Sequence, residues 1–268
     1  MEEQNSPAPP TERGLPEAPA LKPRREYPNP PIVEAIVQFT FAEATKWNVA
    51  TPGRLYEALK DSYPSEPEMQ GVLQASFTPQ PGIGVAPDFT LSQGGQRVLY
   101  KDESKTRLLV INPQTFSVNS VRPYEGWKLL RPRMLSAIET ICEVLELSPV
   151  SEVSIRYINQ FSLPRGQPTE EFLNYHIDTA QGGASYVNNF VIHVESILAD
   201  GVTLAATTLA TSQPQTETSF PIALDLDFKR QLSLMPIREA LDQVEELKAL
   251  ENSEFESAIT DRTRELFL

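Results

Sequence analysis

The chain has 268 residues, 40% of them hydrophobic and 8% aromatic, and its 36 acidic side chains against 23 Lys and Arg give a net charge of −13. That is enough apolar material for a sizeable core, and the charge repels phosphate backbones and anionic lipid, which argues against nucleic acid and membrane surfaces as partners. No run approaches the roughly 18 apolar residues of a spanning helix, the acidic start Met1-Glu2-Glu3 lacks the features of a signal peptide, and Cys142 with His176 and His193 offers neither an internal disulfide nor a zinc set. A cytoplasmic protein with no metal and no cofactor is expected.

Nine of the 24 prolines fall in the first 31 residues and no apolar periodicity precedes Ile32, so residues 1–26 are expected to form a disordered Pro-rich tail. From Ile32 to Phe41, Val33, Ala35, Val37, Phe39 and Phe41 alternate with polar residues as in a half-buried strand. Thr51-Pro52 reads as the N-cap and first residue of a short helix running to about Ser62, with Leu55, Ala58 and Leu59 on one face. Strands follow near Met69–Phe77, Asp88–Ser92, Gln96–Lys101, Thr106–Ile111 and Thr115–Val121, with turns at Pro79 to Gly84, Gly94-Gly95, Asp102 to Lys105 and Asn112-Pro113. Trp127, Leu130, Met134, Ile138, Ile141 and Leu145 then recur at the spacing of a helix packed on a sheet, and Pro132 kinks it or marks its start.

The order then repeats. Ser151–Leu163 is a strand with Val153, Ile155, Tyr157 and Phe161 on one face, and Thr169 caps a short helix holding Phe172 and Leu173. Strands are expected over Tyr186–Leu198, Val202–Thr211 and Thr218–Lys229, with Asp200-Gly201 and Gln213-Pro214 as turns. Pro236 opens a last helix with Ile237, Leu241, Val244 and Leu247 inward, and Phe255, Ile259, Leu266 and Phe267 continue it. The expected fold is α+β: two pseudo-equivalent β-α-β(n)-α halves, residues 27–148 and 149–268, an internal duplication forming one continuous domain. They build a largely antiparallel curved sheet with long helices packed on one face.

Two segments, Tyr27-Pro28-Asn29-Pro30-Pro31-Ile32-Val33-Glu34-Ala35 and Ile155-Arg156-Tyr157-Ile158-Asn159-Gln160, together with the ending Phe255 to Phe267, resemble an uncharacterised family of sporadically distributed prokaryotic proteins of about this length. The resemblance implies no activity and no catalytic residue. The patchy distribution is of the kind seen for defence or toxin–antitoxin genes.

In their own right, the prolines around Tyr27 hold an extended entry into the first strand, with the Tyr27 ring against the sheet edge. Asn159 falls on the apolar phase of its strand and needs hydrogen-bond partners there. The polar phases of the long strands gather Glu34 and Gln38, Arg156 and Gln160, His193 and Glu195, and Asp225 and Asp227, so neighbouring strands would present one polar face. Asp225-Leu226-Asp227 spaces two carboxylates to hold a cation or divide acid and base roles, against which Lys229 offers simple charge compensation. His193 with Glu195 has no nucleophile-elbow serine or cysteine to serve. Gly82-Ile83-Gly84 reads as a turn without the context of a dinucleotide site, and Cys142 reads as a small hydrophobe of raised pKa. The nine acids against four Lys and Arg from Pro236 onward read as a solvated helix face. No catalytic residue is assigned, and an enzyme is the less favoured class. The leading expectation is a non-enzymatic protein-binding module, possible partners being basic, with Glu34, Arg156, Asn159, His193, Glu195, Asp225 and Asp227 on its ligand or partner face. The alternative is a small-molecule binding protein or enzyme that takes an anionic ligand through Arg156 or the space between sheet and helices. A homo-oligomer paired through an exposed sheet edge or through the Pro-rich tail is left open.

Overall fold

A computed structural model describes residues 20–78, 88–175, 189–212 and 218–268. The tail up to residue 19, the turns at Gly82-Ile83-Gly84 and Gln213-Pro214, His176 and the expected strand start at Tyr186 lie outside the described residues.

Nine strands form one sheet in which every neighbouring pair is antiparallel: β1 (Ile32–Phe41), β2 (Glu68–Thr78), β3 (Asp88–Lys101), β4 (Arg107–Ile111), β5 (Thr115–Val121), β6 (Val150–Pro164), β7 (Val191–Ile197), β8 (Thr203–Thr211) and β9 (Ser219–Met235). Across the sheet they run β2-β3-β4-β5-β1-β6-β9-β8-β7, so β1 and β6 meet in the middle and each later strand builds in from an edge. Among the described residues the helices are α1 (Thr51–Leu59), α2 (Trp127–Val144), α3 (Leu241–Ala258) and the short α4 (Asp261–Glu265), with one 3-10 turn at Thr169–Glu171.

Alternation puts one row of core side chains across seven strands. Tyr100, Leu109, Val118, Val37, Ile155, Phe228 and Ala205 are opposite one another in register, and the first six are buried. Phe39 and Phe116 stack beside this row with centroids 6.1 Å apart. A one-residue slip anywhere would turn these groups to the opposite face, so the apolar phase fixes the register.

The structure overturns the curved, helix-gripped sheet of equivalent halves. The sheet is broad and lacks the clear curvature expected, and about a quarter of the described residues are helical. Five strands lie on one side of the β1–β6 seam and four on the other when each seam strand is counted with its own half. The helix after the first strand is nine residues in one half and a single 3-10 turn in the other. Nor do the long helices make a common roof: α2 packs mainly on α1 and touches β5 only slightly, while α3 meets β6 and β9. A 3.6-residue stripe says that a helix buries one side, not which element receives it.

Local readings are corrected too. Gly94 and Gly95 do not turn the chain. They sit opposite the single residue Val72 within β3, a bulge in which Gly95 takes φ +97°. Two adjacent glycines signal positive φ, and a bulge uses that freedom as readily as a hairpin does. Helix α1 starts after Ala50, because the Thr51 hydroxyl turns back to Asn48 instead of capping, and it ends at Leu59 with Ala58 exposed. Pro132 lies inside α2, which begins at Trp127, and β9 runs on to Met235 because its end still pairs with Val150 and Glu152 of β6. Chain from Pro236 makes a turn before α3 begins at Leu241, and Leu266 is exposed.

The β3–β4 turn depends on a carboxylate. Asp102 Oδ1 accepts the N–H groups of Thr106 (2.9 Å) and Arg107 (3.0 Å), and Oδ2 accepts the Ser104 hydroxyl (2.6 Å). Burial alone would raise this carboxyl, but these bonds outweigh it and hold the pKa below the usual carboxylate value. A depressed folded-state pKa gives stability that is present above the unfolded value, near 4, and is lost as pH falls through the folded value. Asp102→Asn is therefore expected to lower the denaturation midpoint at pH 7 and to shrink its fall between about pH 4 and lower pH. Urea titrations at the two pH values check this, and an unchanged acid slope would count against it.

Candidate functional site

The sheet brings the polar phases together as expected from strand alternation. Val121, Glu34, Ile158, Asp225, Thr208 and His193 form one cross-strand row, and Asn119, Ile36, Arg156, Asp227, Ala206 and Glu195 form the next. Arg156 grips Asp225 bidentately, Nε to Oδ1 at 2.9 Å and Nη2 to Oδ2 at 2.5 Å. That hydrogen-bonded carboxylate, with Asp227 and Glu34 nearby, holds the guanidinium pKa above its ordinary value. Asp227 is 2.9 Å from Lys229 Nζ, and Glu34 accepts from Asn119 Nδ2 at 2.8 Å.

His193 and Glu195 are not part of this cluster. Both lie on β7, separated from Arg156 by β9 and β8, which is about 14 Å at three strand spacings. The imidazole Nδ1 is 2.8 Å from Thr208 Oγ1 and Nε2 is 3.3 Å from Glu195. Asn159 faces the other side of the sheet: it is buried, and its amide donates to Leu224 O at 3.2 Å and more weakly to Tyr157 O at 3.4 Å. The charges on the polar face are mostly spent on one another, each aspartate by its own cation.

A second location gives a place to the space between sheet and helices, whose lining, apart from Asn159, the strand phases did not name. A cavity of about 510 Å³ lies between the entry segment before β1, the start of α2 and one side of α3, with Asn159 on its wall. Here Tyr27 packs edge-on against Phe255 and Phe267 and donates to Glu256 at 2.7 Å, so it seals the α3 side and not the sheet edge. Burial and that hydrogen bond push its phenol up to about 12. Tyr124 and Tyr157 meet hydroxyl to hydroxyl at 3.0 Å, and burial raises both phenols, Tyr157 strongly.

At the cavity wall, Lys248 is 6% exposed and Glu251 3%. The ammonium bonds to the Glu251 carboxylate and to Asn252 Oδ1 (2.7 Å) and stands 3.8 Å above the Tyr157 ring. Burial drives its pKa below the usual lysine value, with Glu251 opposing the shift. Glu256 is buried as well, so the acidic side chains of α3 are not all a solvated face. The signal was available: Val244, Leu247, Lys248, Glu251 and Phe255 share one helical stripe, and two charges at core positions mark a buried pair.

The mouth of the cavity carries three cations, Arg24, Arg25 and Lys128. Glu125 is already engaged by Arg107 (2.9 Å) and Arg133 (2.5 Å), and Glu256 by Arg264 (2.8 Å). Arg24 and Lys128 face Glu26, which lies 3.0 Å from Lys128 and 3.8 Å from Arg24, while Arg25 lies 3.8 Å from Glu256 and 3.9 Å from Asp261. Gly126, at φ +85° and ψ 150°, starts α2 there with no side-chain cap, so the positive end of the helix adds to the same field. Cys142 lies elsewhere on α2, partly buried, with its thiol pKa raised by burial.

Among the described residues no helix is long and apolar enough to cross a membrane, and no three His, Cys, Asp or Glu gather as a metal site. No family model and no curated protein matches the chain.

Proposed function

We propose that the protein is a non-enzymatic binding protein for a small anionic molecule, held in the cavity between the entry segment and α3. The supporting observation is the cavity itself: about 510 Å³ lies within the size range of ligand sites, and its mouth carries Lys128 with Arg24 and Arg25, whose ion pairs are long at 3.8 to 3.9 Å, although the whole chain is strongly acidic. A carboxylate or phosphate would take the guanidinium groups, and Pro30, Pro31, Ile32 and Phe255 would cover an apolar body. The polar sheet face supports the protein-binding reading less well, because a partner would have to displace the Arg156–Asp225 and Lys229–Asp227 pairs. Membership of a defence complex rests on the family resemblance alone.

A thermal-shift panel of small carboxylates and phosphate esters tests the proposal. Ligand at 100 times its dissociation constant adds about 2.7 kcal/mol, a rise of roughly 5–10 °C for a chain of this size. The neutral double change Arg24→Gln and Arg25→Gln should abolish the rise and lower the unliganded melting temperature only slightly, since the ion pairs lost are long and both side chains are partly exposed. A panel without a responding anion, or a response the double variant keeps, overturns the assignment.

A further inference from the structure

Strand β7 ends the sheet. It pairs with β8 on one side, and among the described residues nothing pairs with the other. It also carries large apolar side chains in the open, with Val191 70%, Val194 47% and Ile197 74% exposed. An edge strand with exposed apolar side chains is a template for another strand, and natural chains that do not use such an edge protect it with charges, most often lysine, with proline or with a bulge. Between Val191 and Ile197 there is no lysine, no proline and no bulge, and the one carboxylate is Glu195.

The backbone shows which groups are free. Thr211 N–H donates to Phe190 O at one end of the ladder, and Leu198 N–H donates to Thr203 O at the other. Hydrogen-bonded pairs alternate in an antiparallel ladder, so the even-numbered residues of β7 bond to β8. Residues Val191, His193, Glu195 and Ile197 therefore aim their N–H and C=O groups outward.

We propose that two copies of the chain join β7 to β7, antiparallel, about a twofold axis at Val194, making one continuous sheet through both. In this register Val191 stands opposite Ile197 of the second copy and His193 stands opposite Glu195 of the second copy, each pair occurring twice. All four outward-facing residues then meet outward-facing residues, so their free backbone groups pair in full. The two apolar pairs cover the most exposed side chains of the strand, and the two imidazole–carboxylate pairs lie between them on the same face. Sliding the strands by one pair in either direction puts Glu195 against Glu195 or His193 against His193. Side-chain complementarity and backbone geometry thus select the same register, and the contact is isologous, so it closes at two copies.

Light scattering coupled to size exclusion, on the full chain, tests the proposal. The expected mass is twice the 29.9 kDa of the chain. Val191→Lys with Ile197→Lys sets like charges opposite each other at both ends and should weaken the dimer at least about tenfold. Val191→Lys with Ile197→Glu sets opposite charges there and should restore it. Glu195→Pro is an independent block: it removes an outward N–H and leaves the bonds to β8 in place. Unchanged far-UV circular dichroism shows that each variant folds. A monomer for the unaltered chain, a dimer indifferent to the paired lysines and to Glu195→Pro, or a lysine–glutamate variant as monomeric as the lysine–lysine one would overturn the proposal. Loss with the first and third variants and recovery with the second supports it.

Discussion

Lys248→Met is expected to cost about 3–5 kcal/mol of folding stability, because it leaves the Glu251 carboxylate buried without its counter-charge. The pair cannot be read as a simple source of stability. Both ions gave up their hydration on folding, and their mutual attraction, the Asn252 bond and the Tyr157 ring only offset that loss. Removing both charges with Lys248→Met and Glu251→Leu should therefore be neutral or better, by about 1–4 kcal/mol. The sign of the pH effect follows. The lysine pKa is lowered in the folded state, so at alkaline pH below about 10.4 the unfolded chain binds more protons and stability rises with pH. The doubly substituted chain should lose that rise. Urea unfolding across this range measures both effects, and a single-variant cost below about 1 kcal/mol would show that the pair is hydrated.

Much of the sheet was legible because burial in a strand has period two. Phe220, Ile222, Leu224, Leu226 and Phe228 alternate strictly and all are buried in β9, and the limits of β5 match the expected strand Thr115–Val121. The order of most elements also followed from this signal. What did not follow was anything decided by a partner distant in sequence: the bulge at Gly94-Gly95 depends on β2, and the extension of β9 to Met235 depends on β6.

The same division holds for the two functional regions. Arg156, Asp225, Asp227 and Glu34 could be placed on one face from strand phase, and registry does bring them together. Phase alone could not say that β7 would stand at the edge, which removes His193 and Glu195 from that cluster and turns them into edge residues. The cavity was harder still. Its walls come from four separated stretches of chain, and only the charged residues Lys248 and Glu251 within an otherwise apolar stripe gave notice of it.

The second large effect is expected from Arg133→Met, which should lower stability by about 3–5 kcal/mol. The guanidinium is largely buried and uses its whole fork: Nε and Nη2 bond Glu125 Oε1, Nη2 bonds Asn119 O at 2.9 Å, and Nη1 bonds Tyr63 Oη at 2.9 Å. One side chain thus ties α2 to β5, to the loop before α2 and to the chain after α1. Methionine fills much of the space but leaves the Tyr63 hydroxyl and the Asn119 carbonyl without this donor, and Glu125 with only Arg107. Arg133→Lys should recover less than half of the loss, since an ammonium cannot span partners set for a planar fork. A double-mutant cycle with Glu125→Gln should give a coupling of about 1–3 kcal/mol. Because Glu125 immediately precedes Gly126 at the cavity mouth, Arg133→Lys should also reduce an anion-induced thermal shift while the chain remains folded. Loss of stability with a full ligand shift would separate the structural role of Arg133 from the shaping of the mouth.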